Sequence, residues 1–161
     1  MIIRPGRMSD RAQLTEILNA VITIGGTTAY QKPVTRDFFD PLIDSPTPKT
    51  FLHVAETETM LLGMQWVRVM EPDDMGGIAT FARPGTVQRG IGSALFQATK
   101  AASEAAGYAQ LDATIRADNT GGLAYYSKMG FEDHSVTQAK PLDDGTKVDR
   151  IHKRLKLDPS H

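Results

Sequence analysis

The sequence predicts a single α/β domain over residues 1–161, of the α+β kind, in which a mainly antiparallel N-terminal sheet passes into right-handed β-α-β connections. Three observations predict it. Strand-like and helix-periodic runs follow one another as β, two helices, three strands, helix, strand, helix, two strands. No repeat, linker or low-complexity tract divides them. The length of 161 residues, with 40% hydrophobic and 23% charged side chains, suits one soluble domain that buries its core without staples.

Ile2-Ile3-Arg4 reads as a first strand, stopped by Pro5-Gly6. Ser9-Asp10 offers an N-cap for a helix through about Asn19, whose apolar stripe is Ala12, Leu14, Ile17, Leu18 and Val21. After the Gly25-Gly26-Thr27-Thr28 loop, Thr35 caps a second helix with Phe38, Phe39, Leu42 and Ile43 on its apolar side, and Ser45-Pro46-Thr47-Pro48 breaks it. Phe51–Ala55 and Leu61–Val69 flank a polar Glu-Thr-Glu-Thr turn and read as a hairpin. Ile78–Ala82 is the next strand, before Pro84-Gly85. The longest helix runs from Ile91 to about Ala106, with Ile91, Leu95, Ala98, Ala102 and Ala105 on one face and Gly107 at its end. Leu111–Ile115 alternates as a strand, a short helix follows from about Thr120 to Met129, and strands at Phe131–Val136 and Val148–Leu157 flank the Asp143-Asp144-Gly145 turn.

Charge and composition exclude several function classes. The formal net charge is −1, and neither half is strongly biased: residues 1–80 hold seven Lys/Arg against ten Asp/Glu, and 81–161 hold eleven against nine. A nucleic-acid binder carries a stronger basic footprint. With no cysteine there is no disulfide framework, thiolate metal site or thiol nucleophile. His53, His134, His152 and His161 show no two-histidine metal spacing, so no metal is expected. The N-terminus lacks a secretory signal, and no apolar run approaches the ~20 residues of a membrane helix. A soluble, cytoplasmic protein with no membrane or nucleic-acid partner is expected.

The most informative stretch is Val87-Gln88-Arg89-Gly90-Ile91-Gly92-Ser93-Ala94-Leu95. A strand ends, two glycines permit tight curvature, and a long helix begins at once. The unpaired N–H groups of a helix N-terminus, with the dipole behind them, attract anions, and glycines let a pyrophosphate approach the backbone. The same pattern also suits a plain strand-to-helix corner. A P-loop would need Gly-Lys-Ser/Thr, whereas Gly92 is followed by Ser93-Ala94. A dinucleotide turn would need a third glycine where Leu95 stands, although Asp112 does follow Gly92 by the twenty residues that such a turn places before its ribose-binding acid.

This stretch resembles the acyl-CoA binding motif of the GCN5-related N-acetyltransferase (GNAT) family, Arg/Gln-x-x-Gly-x-Gly/Ala between a strand and a long helix, with Val87 replacing the usual first Arg or Gln. A second segment, Asn119-Thr120-Gly121-Gly122-Leu123-Ala124-Tyr125-Tyr126-Ser127-Lys128-Met129-Gly130-Phe131, resembles that family's Asn, six residues, Tyr, three residues, Gly-Phe signature. The resemblance implies a three-layer domain whose mixed, mostly antiparallel central sheet is flanked by helices, and acetyl-CoA as cosubstrate. It also implies roles. The backbone of Phe81 and Ala82 would pair with the pantetheine arm and polarise the thioester carbonyl. Val87, Gln88, Arg89, Gly90, Ile91, Gly92 and Ser93 would cradle the pyrophosphate. Asn119 would hydrogen-bond the pantetheine region, and Tyr126 would stand near the sulfur as general acid.

Each assignment has a plain structural counterpart. Asp118-Asn119-Thr120 also reads as an N-cap, and Leu123, Tyr126 and Met129 share a helical face, so packing accounts for Tyr126 as well. Tyr125 falls one place early for the signature. Where family members often carry a strand glutamate as base, Thr80, Ala82 and Arg83 stand here, leaving Glu71, Asp73, Asp74 and His53 as the nearest candidates. The expected function is acetyl transfer to a primary amine by direct attack, on a small-molecule acceptor in preference to a peptide amine, with a homodimer as the possible assembly. Asn19, Thr27–Tyr30 and Pro33–Thr35 resemble the acceptor side of phosphinothricin and amino-acid acetyltransferases. The alternatives are a non-catalytic acyl-CoA sensor of the same fold and a nicotinamide dinucleotide oxidoreductase.

Overall fold

The computed structural model describes residues 1–86 and 90–158. Seven strands form one sheet: β1 (Ile2–Pro5), β2 (Phe51–Glu56), β3 (Leu61–Val69), β4 (Met75–Ala82), β5 (Gln110–Arg116), β6 (Glu132–Pro141) and β7 (Lys147–Lys156). Their order is β1-β2-β3-β4-β5-β7-β6. All neighbours are antiparallel except β4 and β5, which run parallel and are joined by the long helix α3 (Ile91–Ala105). The remaining helices are α1 (Arg11–Ile24), the single-turn α2 (Asp40–Ile43) and α4 (Thr120–Lys128).

Four elements depart from the sequence reading: β4 begins three residues early, at Met75, β6 runs five residues past Val136, to Pro141, and two helices differ. The first helix continues five residues beyond Asn19, because its apolar stripe extends through the buried Ile22 and the chain turns only at Gly25, whose φ of 76° suits a residue without Cβ. The helix expected after Thr35 forms as a 3-10 turn over Arg36–Phe39 followed by α2; Thr35 stands at its N-terminus without a side-chain cap bond.

The sheet is covered on both faces. On one, α1 and the Phe39–Leu42 turn bury Leu14, Ile17, Leu18 and Phe39 against Leu52, Val54, Met64 and Trp66. On the other, α3 and α4 pack over Ala55, Leu62, Val67, Leu111 and Ala113 with Ile91, Leu95, Phe96, Tyr126 and Phe131. Strand alternation assigns the polar side chains too. Gln65 and Thr80, opposed across β3 and β4, face α3 and α4, whereas Phe81 turns toward α1 and packs on Trp66 with ring centroids 5.1 Å apart.

One irregularity creates the site. β4 and β5 pair only from Met75 with Gln110 to Ile78 with Ala113. Beyond that point β4 stays bonded to β3 as far as Ala82, and β5 stays bonded to β7 as far as Arg116. The two strands therefore part like a V, and the edges of Ala79–Ala82 and Thr114–Arg116 that face the opening lack a strand partner.

Candidate active site

A cavity of about 760 Å3 fills the V and passes from one face of the sheet to the other. On the α3 and α4 side it is lined by Ile91, Gly92, Leu95, Tyr125 and Tyr126, and on the α1 side by Val21, Thr27–Tyr30, Arg116 and Arg150. Phe81, Ala82 and Asn119 line it as well. Of the residues singled out from sequence, Phe81, Ala82, Ile91, Gly92, Asn119 and Tyr126 thus meet around one space. Gly90 and Ser93 flank it at the start of α3. Val87, Gln88 and Arg89 lie outside the described residues.

Gly90 is the N-cap of α3, with φ 88° and no side chain to block its approach; the first turn holds no acidic residue. Helix geometry leaves the N–H groups of Ile91, Gly92 and Ser93 without an intrahelical acceptor, while Ala94 N already donates to Gly90 O at 2.9 Å. This end of α3 offers donors and partial positive charge toward the opening.

A polar cluster sits beneath it. Tyr126 is 6% exposed, and its hydroxyl lies 2.8 Å from Thr80 Oγ1. Gln65, fully buried, donates from Nε2 to Thr80 Oγ1 at 2.8 Å and to the Tyr125 hydroxyl at 3.0 Å. Tyr125 in turn donates to Gly92 O at 2.8 Å. The proton of Tyr125 is committed to a carbonyl, whereas Tyr126 shares its hydrogen bond with another hydroxyl, so either oxygen can give or receive. Burial pushes the phenol of Tyr126 well above its ordinary value, and that of Tyr125 up as well, so both stay protonated at neutral pH.

Gly92 is glycine for a reason the sequence does not disclose. A Cβ there would meet Tyr125 Cε1 at 2.5 Å, so the close neighbour is a ring of this chain. Asn119 is the N-cap that its sequence context suggests, and it also lines the cavity. Its Oδ1 caps α4 by accepting from Gly122 N at 2.9 Å, and its Nδ2 donates to Thr27 O at 3.0 Å. Arg116 holds the same loop through Thr28 O at 3.1 Å, and Asn19 anchors its far end through both bonds to Val34. The segment resembling an acceptor wall is therefore strapped across the cavity from three sides.

None of the proposed bases reaches this space. Asp73 and Asp74 precede β4, while Phe81 lies seven residues beyond Asp74, about 23 Å at strand rise. Glu71 lies farther back in the same turn. His53 faces a separate pocket near Ala102 and Ala106, with its Nδ1 buried and unpartnered among the described residues. Among the described residues, none that lines the cavity is a carboxylate or histidine. Among the described residues no cluster of three His, Asp or Glu could hold a metal, and no helix is long and apolar enough to cross a membrane. Sequence reasoning missed Gln65, Thr80, Arg116 and Arg150. Gln65 alone left a signal, as a polar residue inside the apolar run Leu61–Val69.

The fold and the motifs have known counterparts. The chain is similar to yncA from Salmonella typhimurium, whose structure holds its cofactor acetyl-CoA, at TM-score 0.87 and 18% identity over 100% of this chain and 96% of that one. It is similar to a phosphinothricin acetyltransferase from Sinorhizobium meliloti in complex with acetyl-CoA, at TM-score 0.83 and 20% identity over 97% and 88%. A ribosomal-protein-alanine N-acetyltransferase from Brucella melitensis gives TM-score 0.86 and 18% identity over 98% and 100%. At these identities the likeness is one of fold. No curated protein matches the chain. The family model described as "Acetyltransferase (GNAT) family" matches residues 16–131, which takes in β2 to α4 and both motif segments. The protein belongs to the GNAT acetyltransferase family.

Proposed function

We propose that the protein transfers the acetyl group of acetyl-CoA to a primary amine, with the cosubstrate in the α3 and α4 half of the cavity and the acceptor in the α1 half. The observation that carries this reading is the parting of β4 from β5. It leaves backbone N–H and C=O groups of Ala79–Ala82 facing a cavity that opens to both sides of the sheet.

The chain's own groups fit such a cosubstrate. Phe81 and Ala82 offer an unpaired strand edge to the amides of the pantetheine arm and a donor to the thioester oxygen. Gly90, Ile91, Gly92 and Ser93 present the helix N-terminus to the pyrophosphate. Val87, Gln88 and Arg89 belong to the same cradle by sequence. Asn119 keeps one lone pair on its capping oxygen beside the pantetheine path. Bound acetyl-CoA supplies an activated acyl thioester. The amine attacks its acyl carbon directly, and the chain has no cysteine that could form a thioester of its own.

Tyr126 then serves as general acid. Its raised pKa keeps the proton in place until a thiolate develops, and Thr80 returns hydrogen bonding to the phenolate from the other side. With no carboxylate or histidine among the described residues of the cavity wall, the amine sheds its proton to water, so kcat/KM should rise with pH until the free acceptor amine is neutral.

Thermal unfolding in the presence of acetyl-CoA, CoA and NAD tests the reading, because a ligand specific for the folded state raises Tm by mass action. Acetyl-CoA and CoA should raise it and NAD should not. A shift with NAD alone would favour the oxidoreductase reading, which the sheet already disfavours, since dinucleotide folds use an open, mostly parallel sheet and this one has a single parallel pair among its described strands.

A further inference from the structure

Two arginines stand side by side on the α1 face of the opening, and only one is neutralised. Arg116 of β5 and Arg150 of β7 are register partners, so both side chains leave the same face of the sheet. Arg116 grips Asp118 with two bonds of 2.9 and 2.8 Å and donates a third to Thr28 O. Its charge is answered by Asp118, and three of its five N–H donors are engaged. Arg150 also lines the cavity, yet its Nε is buried without a hydrogen-bond partner among the described residues, and no ion pair there involves it. Its neighbours on β7 are served: Lys153 by Asp133 and Ser127, Arg154 by Asp112, His152 by Thr137. Among the described residues, the cavity wall holds no carboxylate to answer Arg150.

Arg150 is half-buried, and the Nε of its guanidinium has lost water without gaining a partner, which costs free energy. The planar fork is also the side chain best matched to a carboxylate. Distance limits what such a group can hold. β7 lies two strand spacings from β4, each about 4.8 Å where strands pair, and a guanidinium reaches back over part of that span. An oxyanion on Arg150 and an amine at the Phe81–Ala82 edge therefore belong to one small molecule.

We propose that the acceptor is a primary amine bearing a carboxylate a few bonds from its nitrogen, and that Arg150 binds this carboxylate and sets acceptor specificity. The inference rests on the acetyltransferase reading of the cavity. Arg150 orients the acceptor by its charged end, the strapped loop Thr27–Tyr30 closes over it, and the amine is left facing β4.

The test is release of CoA from acetyl-CoA with free α-amino acids, with their carboxamides, and with C-terminally amidated dipeptides whose second residue is acidic. The wild type, Arg150→Gln and Arg150→Lys are compared. One charge-assisted bidentate contact of the usual strength should favour acids over amides by roughly 10- to 100-fold in kcat/KM. Arg150→Gln should abolish that preference by raising KM for the acids with kcat little changed, and Arg150→Lys should restore part of it. Free amino acids preferred over the dipeptides identify the free acid as the source of the carboxylate, and the reverse order identifies a peptide side chain; either supports the assignment. Equal use of acids and amides by the wild type, or equal losses on both in Arg150→Gln, would overturn it. The acetyl-CoA Tm shift of the wild type separates the two levels. If the shift is present and acceptor preference is wrong, this inference alone falls; if the shift is absent, the cavity reading falls and takes it along.

Discussion

The hydroxyl of Tyr125 donates to Gly92 O and receives Gln65 Nε2, while that of Tyr126, one residue on, meets only Thr80. Tyr126→Phe keeps the ring packed among Phe131 and Tyr125 and removes the acid, so kcat should fall by roughly 10²-fold or less with acetyl-CoA affinity and Tm nearly unchanged. Tyr125→Phe removes a bond to the start of α3 and strands a buried amide donor, so it should cost about 1–2 kcal/mol of stability and change kcat far less. Steady-state kinetics beside thermal unfolding separates the pair, and a reversed pattern would put the motif out of register by one. Gly92 requires a different test from the one the sequence invites. Placing a carboxylate there to repel phosphate would also strike the Tyr125 ring. Gly92→Ala should lower both Tm and acetyl-CoA affinity, and Tyr125→Leu in the same chain should recover part of each loss. Strict additivity in that double-mutant cycle would mean that the ring contact is inconsequential.

At the scale of elements, α4 and its cap join the two halves of the cavity. Asn119→Ala removes the cap of α4 and the strap to Thr27 together, with about 1 kcal/mol lost from the cap alone. Asn119→Asp keeps an acceptor for Gly122 N but sets a carboxylate against the Thr27 carbonyl. It should preserve most of the stability while raising KM for the amine more than for acetyl-CoA. Equal effects on both substrates would argue that the loop has no bearing on the acceptor. The sequence foretells most of these elements, since apolar stripes at helical spacing and turn chemistry are local signals. It foretells the cap of α4 and the glycine-rich start of α3 for the same reason. The short 3-10 turn before α2 was not legible, because 3-10 and α turns share their residue preferences over so few positions.

Across the whole molecule, the first strand, the first helix and β2 are fastened by one ionic cluster. Arg4 bridges Asp10 at 2.8 Å and Glu56 at 2.9 Å, with the Arg4 and Asp10 side chains only 12% and 8% exposed. Burial raises the Asp10 carboxyl, but Arg4 and the Arg7 N–H pull it further the other way, leaving it below its ordinary 3.8. A carboxyl with a depressed folded pKa binds fewer protons folded than unfolded, so its contribution is full above pH 3.8 and fades as pH falls through the folded value. Burial likewise holds His53 below its ordinary 6.5, so that its protonation opposes folding. Tm should therefore decline in two stages on acidification, beginning below pH 6.5 and again below 3.8; His53→Leu should remove the first stage only. Asp10→Asn should cost roughly 3 kcal/mol at neutral pH, because it leaves a buried guanidinium short of a partner.

The same scale explains which parts of the site stayed hidden in the sequence. Phe81, Gly92 and Tyr126 announce themselves through motifs, but Gln65 meets Thr80, and Arg150 meets Arg116, only through strand register across distant segments. The parting of β4 and β5 leaves no local trace at all. The central claim is that this parting holds acetyl-CoA for direct transfer to an amine, and the chain's lack of cysteine makes the most direct measurement clean, since every thiol that appears is released CoA. Thiol titration of purified protein with acetyl-CoA and an amine panel should show CoA appearing in step with acetylated amine, and Tyr126→Phe should slow both alike. Acetyl-CoA that raises Tm yet yields no thiol with any amine would contradict the account and leave a protein that binds the cosubstrate without using it.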